Sequence, residues 1–188
     1  MSIVLSNPLG PKWTPGEHGS TTADGPGVTA SHAVGLTIVE VAALPGQAEA
    51  LRAALKAAFG MELGAGTPAE SAENAVCTGP GQYLLTGHDV AAVKAAVGDL
   101  ALAVDQSSGR VRVTVSGPAV ADLLAKTCPL NLAQWPVGAA HASHFLHIAC
   151  AYFRRGEDSF DLYVGRSFAQ SFGEWLLHAS AEFGLSVG

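Results

Sequence analysis

From Gly35 onward, short β-rich runs alternate with single amphipathic helices, and Gly or Pro marks almost every boundary. Leu36 to Ala42 is rich in β-branched residues and reads as a strand. Pro45-Gly46 then opens a helix in which Leu51, Leu55 and Phe59 recur at helical spacing, and Gly60 stops it. A short strand is expected near Met61–Leu63. Asn74–Cys77 and Gln82–Thr86 read as strands around the turn Gly79-Pro80-Gly81, followed by a helix that turns Val90, Val93 and Val97 inward. The rhythm then repeats. Leu100–Asp105 and Val111–Val115 are expected to pair across Gln106–Arg110 as a hairpin. Gly117-Pro118 opens a helix with Val120, Leu123 and Leu124 buried, and Cys128-Pro129 ends it. Residues 129–142, with Trp135-Pro136, look irregular. Phe145–Phe153 and Phe160–Val164 form a second hairpin. Ser167 and Gln170 suggest a capping box at the head of a last helix, with Phe168, Phe172, Trp175, Leu176, Ala179 and Phe183 buried.

The order strand–helix–strand–strand–helix–strand, then strand–helix–strand–strand–helix, describes two fused split βαβ units of the ferredoxin-like kind. Antiparallel sheets with helices on one face make an α+β domain, expected to span residues 34–188. Residues 1–33 differ. Between Ser6 and Ser31 the chain is rich in Gly, Pro, Ser and Thr and has no periodicity, which predicts an extended N-terminal arm. Trp13 and the apolar start Ile3-Val4-Leu5 would be odd in a free tail. They predict an arm that docks on a partner, with Trp13 as anchor; the rival reading is a strap lying on its own domain. Trp13 and Trp135 are therefore the expected partner-interface residues.

Charge narrows the partners. Apolar residues make up 48% of the chain and charged ones only 14%, against about 25% in an ordinary globular domain, which hints at permanent partners. The net charge is −6 and the ten Lys and Arg residues form no basic stripe, so nucleic acid is not expected. No run reaches the roughly 20 apolar residues of a bilayer span, and the N-terminus lacks the features of a secretion signal. Cys77, Cys128 and Cys150 are odd in number and widely spaced, which predicts reduced thiols in the cytoplasm.

Chemistry-bearing patterns are scarce. His141, His144 and His147 are spaced by three, so a strand would turn the middle one away from the others. Cys128 sits at a helix C-terminus, where carbonyls rather than N–H groups face a thiol, so a structural role is expected. No nucleotide loop and no GxSxG elbow occurs, and Glu157-Asp158 reads as a hairpin tip. Asp105 and Asp161 at strand edges are the remaining carboxylates of interest. No catalytic, cofactor-binding or metal-binding residue is expected in this chain.

Three stretches resemble one family. Gly79-Pro80-Gly81-Gln82-Tyr83-Leu84-Leu85 is similar to a GPxxWLL strand. Residues 104–118 with 123–132 (VDQSSGRVRVTVSGP and LLAKTCPLNL) form the second, with Asn131 where Asp is commoner. The third, Phe160 to Leu176 (FDLYVGRSFAQSFGEWL), departs by Gly165 in place of Pro and Gly173 in place of Trp. Together they resemble the gamma subunit of heterotetrameric sarcosine oxidase, within the superfamily of the glycine-cleavage aminomethyltransferase. The resemblance implies a fold like part of the aminomethyltransferase folate-binding domain. It implies a non-catalytic chain in a complex with alpha, beta and delta subunits, which carry FAD, FMN, NAD, tetrahydrofolate and zinc. It further implies oxidative demethylation of sarcosine to glycine, with H2O2 and formaldehyde or methylene-tetrahydrofolate. Two alternatives remain open: the matching subunit of an N-methyl amino acid dehydrogenase, or a free-standing folate-dependent C1-transfer protein in which Asp105 would hold the pterin.

Overall fold

The computed structural model describes residues 7–20, 25–64, 69–70 and 74–188. Ile3-Val4-Leu5 lie outside the described residues. In chain order the strands and helices are β1 (Gly16–His18), β2 (Val28–His32), β3 (Ile38–Ala43), α1 (Ala48–Phe59), β4 (Ala69–Glu70), β5 (Ala75–Gly79) and β6 (Gln82–Thr86). There follow α2 (Val90–Val97), β7 (Ala101–Asp105), β8 (Arg110–Ser116), α3 (Val120–Thr127), β9 (Ala139–Phe145), β10 (Ile148–Gly156), β11 (Ser159–Gly165), α4 (Ala169–Ser180) and β12 (Leu185–Val187).

The first half forms a four-stranded antiparallel sheet in the order β5-β6-β3-β7. The split βαβ rule places the hairpin strand β6 beside β3 and sends β5 outside it. Leu51 and Leu55 of α1 and Val93 and Val97 of α2 pack into its core. Gly60 ends α1 with φ 69°, a left-handed cap that a side chain resists. Asp89 caps α2 through its carboxylate, which accepts from the Ala92 N–H.

The second half repeats the plan within an eight-stranded sheet, β1-β12-β2-β8-β11-β10-β9-β4. Val111, Val113 and Val115 alternate into a core with Leu123 and Leu124 of α3 and Phe172 and Leu176 of α4. Ala151, Phe153 and Tyr163 point the other way and join the core of the small sheet. The large sheet is thus covered on both faces, by two helices and by the other sheet. The expected α+β architecture of two fused split βαβ units is what the chain adopts.

Several local expectations need correction. The boundary between an arm of residues 1–33 and a domain of 34–188 does not exist as drawn. β2 inserts between β12 and β8, parallel to the first and antiparallel to the second, so residues 28–32 lie inside the sheet. Val28 and Ala30 are fully buried there, and β1 extends the sheet beyond β12. Backbone pairing and apolar burial together offset the ordering entropy that composition alone flagged.

β7 and β8 are not a hairpin. β7 pairs with β3 in the small sheet, whereas β8 pairs with β2 and β11 in the large one, so residues 106–109 are the crossover between sheets. The stretch 129–142 contains most of β9, which pairs with β10. No strand forms at residues 61–63, and α4 begins at Ala169, after a single tight turn at 166–168, with no side-chain cap from Ser167.

Candidate functional site

The three thiols and the carboxylates of Asp105 and Asp161 are engaged by the chain's own structure. Cys77, Cys128 and Cys150 are all buried and unbridged. Burial pushes the Cys77 and Cys150 thiols up, away from the thiolate that nucleophilic chemistry needs. Burial likewise raises the phenol of Tyr152, whose hydroxyl donates to the His144 carbonyl at 3.1 Å.

Asp105 builds a turn. Its carboxylate accepts from the Ser107 hydroxyl at 2.6 Å and the Ser107 N–H at 2.9 Å, and those two bonds hold it below the usual carboxylate range. Asp161 is fully buried; it accepts from Thr114 Oγ1 at 2.6 Å and pairs with the Arg155 guanidinium. Among the described residues no three His, Cys, Asp or Glu side chains come together as metal ligands. His141 and His144 lie on β9 and His147 in the turn after it. No helix among the described residues is long and apolar enough to cross a membrane.

The two tryptophans expected at a partner interface are core residues. Trp13 is 3% exposed and packs with Leu9 in the core of the large sheet. Trp135 is buried in the same core, with its carbonyl accepting from the Arg154 guanidinium. In this conformation neither side chain is available to another protein.

A different aromatic pair faces outward. Phe168, in the turn before α4, is 57% exposed, and Trp175 is 42% exposed at the margin of the buried stripe formed by Phe172, Leu176 and Ala179. The His147 ring stands edge-on to Trp175 at 6.3 Å, and the His178 ring at 6.0 Å. Leu146, in the β9–β10 turn with φ 54°, is also partly exposed. Gln170, Ser171, Glu174 and His178 form the polar face of α4, and the sheet beneath turns the helix so that Phe168 and Trp175, expected to be buried, stand at the open edge of its apolar stripe. A second apolar exposure lies on β7, where Leu102 and Val104 face solvent on a strand with a single neighbour.

The chain matches the sarcosine oxidase, gamma subunit family model over residues 45–182. It is 31% identical over 159 residues to the sarcosine oxidase subunit gamma of Arthrobacter sp, covering 78% of this chain and 77% of that protein. The corresponding subunit of Corynebacterium sp. (strain U-96) is 29% identical over 142 residues, with 68% and 69% covered. A chain of the heterotetrameric sarcosine oxidase from Corynebacterium sp. U-96, solved in complex with pyrrole 2-carboxylate, superposes with a TM-score of 0.72 at 28% identity, covering 83% of this chain and 85% of that one. The glycine cleavage system aminomethyltransferase T from Bartonella henselae shares the fold, with a TM-score of 0.59 at 15% identity over 94% of this chain and 56% of that one. With its two-sheet α+β fold and a family match spanning most of its length, this chain belongs to the sarcosine oxidase gamma subunit family.

Proposed function

We propose that this chain is a non-catalytic subunit of a heterotetrameric sarcosine oxidase in the cytoplasm, and that it supports assembly of the flavin-bearing subunits. The observation that carries this reading is the exposed pair Phe168 and Trp175, on a chain whose buried thiols and Asp161 are tied into its own core. Aromatic residues at the centre of an interface tend to dominate its energy, often at about 2 kcal/mol or more each. A patch of this kind on α4 suits a permanent partner better than solvent. In this reading the alpha, beta and delta partners carry FAD, FMN, NAD, tetrahydrofolate and zinc. Together they oxidise sarcosine to glycine, with H2O2 and formaldehyde or methylene-tetrahydrofolate as the other products.

Co-expression with the neighbouring subunits tests it. The double variant Phe168→Ser, Trp175→Ser should fold as well as the parent but lower recovery of the complex about tenfold or more. The complex that does assemble should keep its turnover per flavin. Undiminished assembly would remove the patch from the interface, and a large fall in turnover per flavin would argue for a catalytic role.

A further inference from the structure

We propose that the cleft where the two sheets diverge binds a small organic anion through its carboxylate or phosphate group, with Arg112 and Arg166 as the anion-holding residues. The cleft encloses about 470 Å³, within the range of about 300–1,000 Å³ typical of small-molecule sites. It opens between the start of β8, the β2–β3 connection, the 106–109 crossover and the end of β11.

The fold brings three guanidinium groups together here. Arg110 and Arg112 are two apart on β8, so they share the face that turns away from Val111 and Val113. Arg166 follows β11 and is held alongside, because its N–H donates to the Gly109 carbonyl at 2.8 Å and Gly165 pairs with Arg110. Arg110 is neutralised across the gap by Glu40 of β3 at 3.1 Å. Among the described residues no carboxylate pairs with Arg112 or Arg166. In a chain with sixteen acidic and ten basic side chains, this concentration of uncompensated positive charge runs against the overall balance.

The polar groups are also short of partners. The Nε atoms of Arg110 and Arg112 and Nδ1 of His32 are buried without a hydrogen bond. A buried donor left unpaired costs stability, and a planar oxyanion is the group that a guanidinium edge satisfies best. Val34, Leu36 and Ile38 line the cleft as well, and Val34 is 83% exposed. An apolar wall beside a cationic one suits an anion with a carbon body better than a bare inorganic ion. The site does not depend on the subunit role proposed above.

Isothermal titration of the full chain and of the intact complex with succinate and with glycerol 3-phosphate, using glycerol as the uncharged control, tests it. At least one anion should bind both preparations and glycerol neither; the preferred anion assigns carboxylate or phosphate. Arg166→Gln should weaken binding about tenfold or more, as expected for loss of a charge-assisted pair. Val34→Glu supplies an internal carboxylate at an exposed position and should weaken binding comparably with the unfolding midpoint unchanged, which keeps the test decisive if an arginine variant misfolds. Equal affinity in these variants, or no binding at millimolar concentration, overturns the proposal. Binding by the free chain but not by the complex would also overturn it, since a partner's acidic side chain would then fill the cleft.

Discussion

The carbonyl oxygen of Leu9 lies 2.8 Å from the point where a β-carbon on Gly173 would fall. The missing side chain in α4 leaves the room that the N-terminal segment occupies. Asn7 folds that segment into a compact turn: its Oδ1 accepts from the Leu9 N–H at 3.0 Å and its Nδ2 donates to the Trp13 carbonyl at 3.2 Å. Leu9 and Trp13 then close the core beneath the helix.

Gly173→Ala should destabilise the protein despite a gain of about 1 kcal/mol in helix propensity. The new methyl meets backbone rather than a flexible side chain, so the segment must shift, and overpacking of this sort costs about 1–3 kcal/mol. Urea denaturation measures the net effect. A higher midpoint would show that the N-terminal segment yields freely.

The two tryptophans of opposite exposure should behave oppositely. Trp13→Ala removes a buried side chain and should cost about 3–5 kcal/mol. Trp175→Ala, on the open side of α4, should cost less than about 1 kcal/mol and act on assembly instead. Parallel denaturation curves of the two variants decide it, and a reversed order would contradict the placement of both rings.

Deleting residues 1–33 should abolish cooperative unfolding of the isolated chain. The deletion removes β2 from between β12 and β8, exposes both strand edges and uncovers the core under α4. Circular dichroism and a thermal melt give the readout. A truncated chain with the parent's melting temperature would restore the separate arm that the composition suggests.

Alkali should unfold the protein through its buried phenols. Burial, with the nearby Asp161 charge, raises Tyr163 from 10.0 to about 12, and burial raises Tyr152 and Cys150 as well. A folded-state pKa above the unfolded one gives stability that is complete below pH 10 and is lost as the pH climbs toward 12. Urea midpoints should therefore hold level up to about pH 9 and fall above it. Tyr163→Phe removes this titration and should soften the alkaline fall. A Tyr163→Phe variant that loses stability above about pH 9 as steeply as the parent would contradict this.

Features set by neighbours in sequence were legible in the sequence. The helices around Leu51–Leu55 and Leu123–Leu124, the Gly60 stop, the Gln82–Thr86 strand and the family motifs all depend on residues a few positions apart. The choice of partner strand does not. Residues 101–105 and 111–115 carry a hairpin pattern, yet each finds its ladder with strands far away in sequence, Val39–Ala43 for one and Ser159–Gly165 for the other. Residues 28–32 lack a strong strand signal and become an interior strand only because β12 and β8 leave a gap of one strand between them.

The apolar stripe of α4 was legible, but its exact facing was not: the sheet beneath draws in Ala169, Phe172, Gly173 and Leu176 and leaves Phe168 and Trp175, expected to be buried, on the exposed margin. Trp13 was readable as an anchor but not as an anchor to its own chain, since that depends on the space above Gly173. The arginine cleft depends on two sheets diverging, with Arg112 and Arg166 fifty-odd residues apart in the chain and adjacent only once β8 pairs with β11. Local periodicity is encoded by short-range sterics and burial, whereas strand pairing, helix facing and clefts are settled when distant segments compete for the same core.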